Sequence, residues 1–236
     1  MELIHILKRI RRQLYGLRAL VPGLRRQHQL ERMVGPLGMW DQLQAYQLNA
    51  VKMLGLQPGH WMLDIGCGPL QGGIAFIKYL DAGRYVGVDL KKLQINAAHA
   101  QIARLGCADK NPLLLVSDSF GDKELGAKCF DFIWLSQVLY YFDGPMMHRL
   151  FEMVSRRLNS KGVFAGDILG LSGNRRFIEE DSVAHLHTAY SLNAIASGYG
   201  LSVVEKGTIE QFGYPKRLGL RTNVMLQVTH RNRARG

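Results

Sequence analysis

Cysteine is scarce in this 236-residue chain, which contains only Cys67, Cys107 and Cys129. An odd number of widely separated cysteines fits neither a disulfide framework nor a zinc site, so we expect reduced thiols, no metal centre and a cytoplasmic location. Long hydrophobic runs are also missing. No stretch approaches the ~18 apolar residues of a membrane span, and the opening residues MELIHILKRIRR lack the uninterrupted apolar core of a secretory signal.

Acidic residues are few, 19 Asp and Glu against 30 Lys and Arg, and the resulting charge of +11 is unevenly distributed. Residues 1–32 carry a net +6 and residues 216–236 another +6, which leaves −1 for the body between them. Because the basicity belongs to the two ends, it does not by itself indicate a nucleic-acid enzyme. With 47% hydrophobic residues, the chain is long enough for one α/β domain and an extension.

The first 36 residues are predicted to form a basic helical extension, in which Pro22-Gly23 ends an amphipathic helix. Three interpretations stay open: the apolar face docks on the protein's own body or on a second subunit of a homodimer, residues 1–22 contact an anionic membrane peripherally, or the arginines contact nucleic-acid phosphate. The last is the weakest, because no aromatic residues interleave with the arginines for base stacking. The apolar face consists of Leu3, Leu7, Ile10, Leu14, Leu17 and Val21.

The most informative stretch runs from Trp61 to Asp89. A buried strand, Met62-Leu63-Asp64-Ile65, leads into the turn Gly66-Cys67-Gly68, where missing side chains let the backbone approach a ligand. Apolar residues at helical spacing follow, and a second apolar run ends on Asp89, 21 positions after Gly68. This order is typical of the first half of a nucleoside-binding α/β unit, with Asp89 placed to accept hydrogen bonds from the ribose hydroxyls.

Two details argue against a dinucleotide. The third glycine, Gly72, comes one position too late for the G-x-G-x-x-G pattern. Asp64 stands two residues before the first glycine, where its carboxylate would repel a pyrophosphate but suit a cation. S-adenosylmethionine, which carries a sulfonium and an ammonium group, meets that requirement.

The segments LDIGCGP and YVGVD resemble motif I and the acidic end of the second strand in class I S-adenosylmethionine-dependent methyltransferases. The resemblance implies an α/β, Rossmann-like class I methyltransferase fold: a seven-stranded, mostly parallel sheet with an antiparallel last strand and helices on both faces. The cofactor it implies is S-adenosyl-L-methionine. The chain then divides into the extension (1–36), the methyltransferase domain (37–230) and a basic tail (231–236).

The stretch CGPLQGGIAFIKYLDAGRYVGVD also resembles a bacterial subgroup of small-molecule and sugar O-methyltransferases that often accompany polysaccharide or natural-product pathways. This resemblance implies a small-molecule acceptor, such as a sugar or natural product, methylated on oxygen by in-line transfer. The sequence lacks the acid-or-amide, two-proline, aromatic tetrad of DNA amino-methyltransferases, which argues against a nucleobase amine as acceptor.

Local patterns predict the remaining elements. Helices are expected over 37–54, 91–105, 145–158 and 192–197, the last with Ser191 as its cap. Strands are expected over 113–116, 130–135 and 163–168, followed by a closing pair over 201–204 and 224–228 that a short connection joins as a hairpin.

Residues near the carboxyl ends of the predicted strands are candidates for the cofactor. Asp118 matches the family position that accepts a hydrogen bond from the adenine amine, although it is also a candidate turn or N-cap residue. Ser136 and Gln137 follow the fourth strand, and Leu90 offers an apolar contact to the adenine. The full set of cofactor candidates is Asp64, Gly66, Cys67, Gly68, Asp89, Leu90, Asp118, Ser119, Ser136 and Gln137.

Candidates for the acceptor and for its deprotonation come from other segments. In the family, a helix at 37–54 leans over the cofactor pocket, and a histidine and a tyrosine often face the acceptor before a late helix. A hydroxyl acceptor needs a base, and a histidine titrates near neutral pH. The base candidates are His187, then His185, then Asp167 at the end of strand five. The acceptor candidates are Trp40, Tyr140, Tyr141 and Tyr190.

Three alternatives remain at this stage. An RNA methyltransferase would use the basic ends as phosphate contacts. An NAD-dependent dehydrogenase is disfavoured by Asp64 and the glycine spacing. A non-catalytic methyltransferase-like protein would bind no donor, which the intact Asp64, Gly66, Gly68 and Asp89 argue against.

Overall fold

A computed structural model describes residues 22–170 and 184–231. The apolar face of residues 1–21 and the basic tail after Arg231 lie outside the described residues, so their predicted roles stay predictions. The predicted helix ahead of Pro22-Gly23 also lies outside the described residues, so its end there stays a prediction. The described chain begins with helix α1, Pro22–Val34. Proline is well tolerated in the first turn of a helix, where its missing N–H group has no intrahelical partner to lose.

Seven strands form one sheet in the order β3-β2-β1-β4-β5-β7-β6. Strands β1 to β5 run parallel to one another, whereas β7 is antiparallel to both β5 and β6. The predicted fold class, with its antiparallel last strand, is therefore confirmed. The strands are β1 Met62–Ile65, β2 Tyr85–Asp89, β3 Leu113–Val116, β4 Phe130–Leu135, β5 Leu158–Ile168, β6 Leu201–Thr208 and β7 Val224–His230.

Helices cover both faces of this sheet because its strands are apolar on both sides. In β4, Phe132 and Trp134 pack into the core beneath α2 and α3, whereas Ile133 and Leu135 pack into the core beneath α5 and α6. Consecutive side chains of a strand point to opposite faces, so one strand serves both cores. After α1, the helices are α2 Trp40–Met53, α3 Gly73–Tyr79, α4 Lys92–Arg104, α5 Gly144–Arg157 and α6 Ala189–Ser197, with short 3₁₀ turns at Ala108–Lys110, Leu139–Tyr141, Ile209–Phe212 and Gly219–Thr222.

The structure corrects two predicted element starts. Strand β5 begins at Leu158 instead of residue 163, and an irregularity in its pairing shifts the register from Phe130 opposite Leu158 to Phe132 opposite Val163. Helix α6 begins at Ala189, and its N-cap is Thr188 instead of Ser191. Ser191 is the fourth residue of a capping box, in which its hydroxyl accepts from the Thr188 N–H and its own N–H donates to Thr188.

Strands β6 and β7 pair antiparallel, as the predicted hairpin requires, but the short connection predicted between them is wrong. Residues 209–223 separate β6 from β7 and contain two 3₁₀ turns. Because β7 is antiparallel to both neighbours, β6 runs in the same direction as β5. The 209–223 segment therefore leaves the sheet at the carboxyl edge of the parallel strands, where open α/β sheets bind their ligands. Among the described helices, none is long and apolar enough to span a membrane.

Candidate active site

The glycine turn after β1 is fixed by backbone hydrogen bonds to β2. The N–H groups of Gly66 and Cys67 both donate to the Val88 carbonyl, at 2.8 and 3.1 Å. Gly66 and Gly68 have φ angles of +73° and +53°, a conformation that favours glycine. The turn is thus rigid and leaves its backbone close to the ligand-binding edge.

Asp89 ties this turn to the end of β2. Its Oδ2 accepts from the Gly68 N–H at 3.0 Å, and its Oδ1 accepts from the Lys91 N–H at 2.8 Å. Each carboxylate oxygen has two lone pairs, so each retains acceptor capacity toward the cavity. This arrangement fits a carboxylate that receives hydrogen bonds from two vicinal hydroxyls.

Asp64 is a buried carboxylate at the start of the same turn. The Tyr85 hydroxyl donates to its Oδ2 at 2.7 Å. Burial raises the pKa of Asp64 from 3.8 to about 7, the Tyr85 hydrogen bond opposes that rise, and the nearby Asp89 charge adds to it. A buried acid near its titration point gains most from a cationic ligand, because the ligand would stabilise its charged form.

One cavity of about 980 Å³ lies along the carboxyl edge of the sheet. Eleven of the candidates from the sequence line it: Asp64, Gly66, Cys67, Gly68, Asp89, Leu90, Asp118, Ser136, Gln137, Tyr140 and Tyr141. The other candidates, Ser119, Asp167, His185, His187, Tyr190 and Trp40, do not line it. The structure therefore brings together most of the cofactor candidates and separates most of the acceptor and base candidates from the cavity.

The turn after β3 is organised by a serine that the sequence analysis did not select. Ser117, which lines the cavity, accepts hydrogen bonds at its Oγ from the Ser119 and Gly121 N–H groups, at 3.1 and 3.0 Å. Asp118 is exposed at the rim and lies 3.6 Å from the Lys123 ammonium group. Ser119 thus helps to shape the turn, and Asp118 is the candidate of this turn that lines the cavity.

The turn after β4 is held by Asp167, which is fully buried behind it. Asp167 Oδ1 accepts from the Gln137 N–H at 2.7 Å and from the Ser136 hydroxyl at 3.1 Å. Its Oδ2 accepts from the Asn223 amide at 2.8 Å. Asp167, the third base candidate, is therefore occupied by three donors and has no direct access to the cavity.

The two candidate histidines pack beside residues 140–142. The backbone N–H of His185 donates to the Tyr140 carbonyl. The ring atom Nε2 of His187 lies 2.8 Å from the Phe142 carbonyl oxygen. A carbonyl only accepts hydrogen bonds, so Nε2 must carry the proton and Nδ1 is the ring atom left to accept one. Tyr140 and Phe142 line the cavity, which places the histidines one layer behind its wall.

Trp40 and Tyr190 lie away from the cavity for opposite reasons. Trp40 is buried in the core at the start of α2. Tyr190 is 88% exposed in the first turn of α6. From α2, it is Gln47 that reaches the cavity.

Residues 32–36 form a cavity wall that the sequence analysis assigned to the extension. The Gln94 amide donates to the Met33 carbonyl at 3.3 Å. A methyl group on Gly68 would lie 3.2 Å from Val34 Cγ1, so the end of α1 packs directly over the glycine turn. The only sequence signal for this contact is the apolar pair Met33-Val34 ahead of a glycine and a proline.

Three side chains form a ladder at the back of the cavity. Trp134 Nε1 donates to Gln47 Oε1 at 3.3 Å, and Gln47 Nε2 donates to Gln71 Oε1 at 3.5 Å. Gln71 Nε2 and Gln94 Oε1 are buried without a hydrogen-bond partner, and both residues line the cavity. Buried polar atoms of this kind normally have partners, so a donor and an acceptor are available for a polar ligand.

The 209–223 segment supplies a further wall that the sequence analysis missed. Its lining residues are Tyr214, Leu218, Gly219 and Leu220. The Tyr214 ring meets Tyr46 edge-on, with 5.0 Å between ring centroids. The nearby Gln137 side chain opposes the rise in the pKa of the Tyr214 hydroxyl that burial causes. The topology of the closing strands could have located this wall, since the loop after β6 must emerge at the carboxyl edge.

The residues present fit S-adenosylmethionine. A ribose would meet the fixed amides of the glycine turn and the carboxylate of Asp89. A cation would meet the buried Asp64. A polar amino-acid end would meet Gln71 Nε2 and Gln94 Oε1, the two buried atoms without a partner.

Comparisons with known proteins agree with this geometry. Residues 63–164 match a family model described as a methyltransferase domain. A geranyl diphosphate 2-C-methyltransferase of Saccharopolyspora erythraea is 32% identical over 127 residues. That alignment covers 50% of this chain and 41% of the relative, so the match spans less than half of that protein's length.

Solved structures share the fold over most of the chain. Magnesium protoporphyrin IX methyltransferase from Synechocystis PCC 6803, with bound S-adenosylmethionine, matches with a TM-score of 0.61 at 15% identity and covers 89% of this chain and 92% of that one. An O-methyltransferase of neocarzinostatin biosynthesis, in complex with S-adenosylmethionine and 2-hydroxy-5-methyl naphthoic acid, matches with a TM-score of 0.57 at 14% identity and covers 92% of this chain and 60% of that one. At these identities the likeness shows the fold.

Proposed function

We propose that this chain, which belongs to the class I S-adenosylmethionine-dependent methyltransferases, transfers a methyl group from S-adenosyl-L-methionine to a hydroxyl of a small-molecule acceptor. The observation that carries the proposal is a single cavity that joins the glycine turn, with its two carboxylates, to walls rich in tyrosine. A donor site and an acceptor site within one cavity are what direct transfer requires.

The donor would be held by the residues around the glycine turn. Asp89 would accept the ribose hydroxyls, and Asp64 would compensate the positive charge of the amino-acid end. Asp118 and Leu90, at the rim, would contact the adenine, while Ser136 and Gln137 would line the methionine side. When bound, S-adenosyl-L-methionine supplies a methyl group on a positively charged sulfur.

The acceptor walls support a small molecule with an apolar or aromatic surface. Tyr140, Phe142 and Tyr214 line the cavity and are buried, and Tyr141 lines its more exposed side. The cavity volume is at the upper end of the roughly 300–1,000 Å³ typical of small-molecule sites. The names of similar proteins point the same way, since they mention geranyl diphosphate, a protoporphyrin and a naphthoic acid.

The tyrosines of the acceptor wall would orient the hydroxyl without deprotonating it. Burial, followed by the charge of Asp167, raises the pKa of Tyr140 and of Tyr214 above the ordinary value of 10. Both phenols therefore stay protonated near neutral pH and can donate hydrogen bonds. His187 remains our proposed base, with Nδ1 as the proton-accepting atom. Its ring is fixed against the Phe142 carbonyl one layer behind the cavity wall, so the proton has to reach Nδ1 through a bridging water or after a local rearrangement of residues 140–142.

Calorimetry with S-adenosylhomocysteine, with NADH as the matched control, tests the donor site. We expect S-adenosylhomocysteine to bind with a Kd in the micromolar range, about −8 kcal/mol, and NADH not to bind. Binding of NADH alone would contradict the assignment.

A screen with methyl-labelled donor then tests the acceptor class. It should compare hydroxylated aromatic compounds, sugars and prenyl diphosphates. Label transferred to oxygen of a hydroxylated compound supports the proposal, whereas label found only on carbon would overturn O-methylation.

The partners of residues 1–22 remain predictions, because that segment lies almost entirely outside the described residues. Liposome flotation of the full chain, compared with a variant lacking residues 1–22, separates membrane contact from docking on protein. Equal partitioning of the two proteins would exclude the membrane interpretation.

A further inference from the structure

We propose that Asp167 is a positioning residue that holds two walls of the cavity together through hydrogen bonds and does not act as the base. The two walls are the turn after β4, at Ser136 and Gln137, and the 209–223 segment. The inference rests on the proposed function, because those walls are assigned there to the donor and the acceptor.

The first wall depends on Asp167 for its backbone conformation. Gln137 has a φ angle of +58°, a left-handed conformation that non-glycine residues keep only where surrounding contacts enforce it. The Gln137 N–H donates to Asp167 Oδ1 at 2.7 Å, and the adjacent Ser136 hydroxyl donates to the same oxygen at 3.1 Å. Without that oxygen, the turn loses both contacts that fix it from behind.

The second wall depends on the other carboxylate oxygen. Asp167 Oδ2 accepts from the Asn223 side-chain amide at 2.8 Å, and both residues are fully buried. The Asn223 carbonyl in turn accepts from the Ile209 N–H at 2.8 Å. Asn223 therefore closes the base of the 209–223 segment, whose middle carries Tyr214 into the cavity.

The two walls also meet at the cavity, which Gln137 and Tyr214 both line. The Gln137 side chain is near enough to the Tyr214 hydroxyl to oppose the rise in its pKa that burial causes. On its other side the turn abuts the donor loop, because a methyl group on Gly66 would lie 3.0 Å from Val138 Cγ2. A displacement of the turn after β4 would thus reach both the donor loop and the acceptor wall.

The chemistry of the buried carboxyl agrees with this role. Burial raises the pKa of Asp167, and its hydrogen bonds from Asn223, Gln137 and Ser136 lower it. Every one of those three groups is a donor, so the ionised form satisfies all of them. Since Asp167 does not line the cavity, it acts on a ligand through the residues that it holds.

Four variants at this site, with one control, test the proposal by two readouts. The readouts are the Kd for S-adenosylhomocysteine and amide hydrogen exchange by mass spectrometry without ligand. In Asp167→Ala we expect the Kd to rise about tenfold or more, as for loss of buried hydrogen bonds, and exchange to accelerate in both 136–142 and 209–223. In Asn223→Ala we expect amide exchange to accelerate in residues 209–223 and to change much less in residues 136–142.

The conservative variant separates hydrogen bonding from charge. Asp167→Asn keeps one oxygen for Gln137 and Ser136. Its new amide can donate to Asn223 once the Asn223 side-chain amide rotates by 180°, which brings its unpartnered Oδ1 to the place where Nδ2 now donates to Asp167. We expect its Kd to stay within about threefold of the wild type, since the same contacts are retained. Adding Asn223→Asp to Asp167→Asn exchanges the carboxylate and the amide between the two positions. This double variant should bring the Kd for S-adenosylhomocysteine back to the wild-type value.

Asp131→Asn is the matched control. Asp131 links β4 to its neighbours at the opposite edge of the sheet, where its carboxylate accepts from the Trp61 N–H at 2.9 Å and from the Asn159 amide at 2.6 Å. Its substitution should leave the Kd and the exchange of 136–142 and 209–223 unchanged.

Each result decides the proposal. Wild-type Kd and exchange in Asp167→Ala would overturn it. A rise in the Kd for S-adenosylhomocysteine in Asp167→Asn as large as in Asp167→Ala would also overturn it, because the charge of Asp167 and not its hydrogen bonds would then hold the site. If the wild type itself fails to bind S-adenosylhomocysteine, the proposed function fails, while the exchange measurements still judge the role of Asp167.

Discussion

At the scale of single residues, Asp89 shows how one carboxylate serves both the fold and the ligand. Its oxygens hold the amides of Gly68 and Lys91 at 3.0 and 2.8 Å. A ribose would therefore meet an acceptor whose orientation is already fixed, so little conformational entropy is lost on binding.

We predict that Asp89→Ala weakens binding of S-adenosylhomocysteine roughly 100-fold, as for loss of two hydrogen bonds to a charged group. Calorimetry measures this directly. Asp81→Asn, a change at an exposed carboxylate ahead of β2, is the control and should bind as the wild type does. Retained micromolar binding in Asp89→Ala would contradict the ribose assignment.

For His187 we predict an effect on turnover that leaves binding of the donor unchanged. In His187→Gln the amide can still donate to the Phe142 carbonyl, but no titratable nitrogen remains. With an acceptor from the screen, we expect turnover to fall roughly 100-fold, the usual range for loss of a general base, with the donor Kd unchanged. His185→Gln serves as the comparison, and unchanged turnover in both variants would remove the histidine proposal.

At the scale of elements, the sequence predicts those helices and strands that are stabilised mainly by contacts between residues close in the chain. The strand–turn–helix–strand unit from Met62 to Asp89 follows from its apolar pattern and glycines, and it was placed almost to the residue. The same holds for β4, whose FDFIWL run needs no distant partner to be recognised.

The failures share one physical cause, which is dependence on distant contacts. Gln137 adopts a positive φ because Asp167, thirty residues later, accepts its N–H. Residues 32–36 become a cavity wall because Gln94 and the glycine turn receive them. No local pattern specifies either contact, so neither could be derived from the sequence around it.

At this scale we predict the effect of releasing the end of α1 from helix α4. Gln94 anchors Met33 and keeps a buried Oε1 available, so Gln94→Ala should loosen the wall over the glycine turn. We expect the Kd for S-adenosylhomocysteine to rise several-fold, in line with a hydrogen bond of about 1 kcal/mol.

Gln101→Ala is the matched control for this element. Gln101 lies on the same helix and is equally buried, but it pairs with Arg104 and does not line the cavity. Equal effects of the two substitutions would show that the change acts through helix stability and not through the wall.

At the scale of the whole molecule, Asp64 couples folding, pH and the ligand. Its pKa is about 7 in the folded chain against 3.8 for the ordinary residue. Between these two values the folded state holds a proton that the unfolded state has released. The free energy of unfolding therefore falls as pH rises from about 4 to 7, by no more than a few kcal/mol.

The ammonium group of a bound donor or of S-adenosylhomocysteine should reverse that loss of stability, because it stabilises the ionised form of Asp64. We predict that urea unfolding shows a larger drop in stability from pH 5 to pH 7.5 for the wild type than for Asp64→Asn, which cannot ionise. Saturating S-adenosylhomocysteine should recover stability more at pH 7.5 than at pH 5, since affinity for a cation falls as Asp64 is protonated.

Because other buried acids such as Asp167 also have a raised pKa, the conclusion rests on the difference between the wild type and Asp64→Asn and not on the wild-type curve alone. If Asp64→Asn retains the full pH dependence of both stability and binding, Asp64 is not the group that receives the cation.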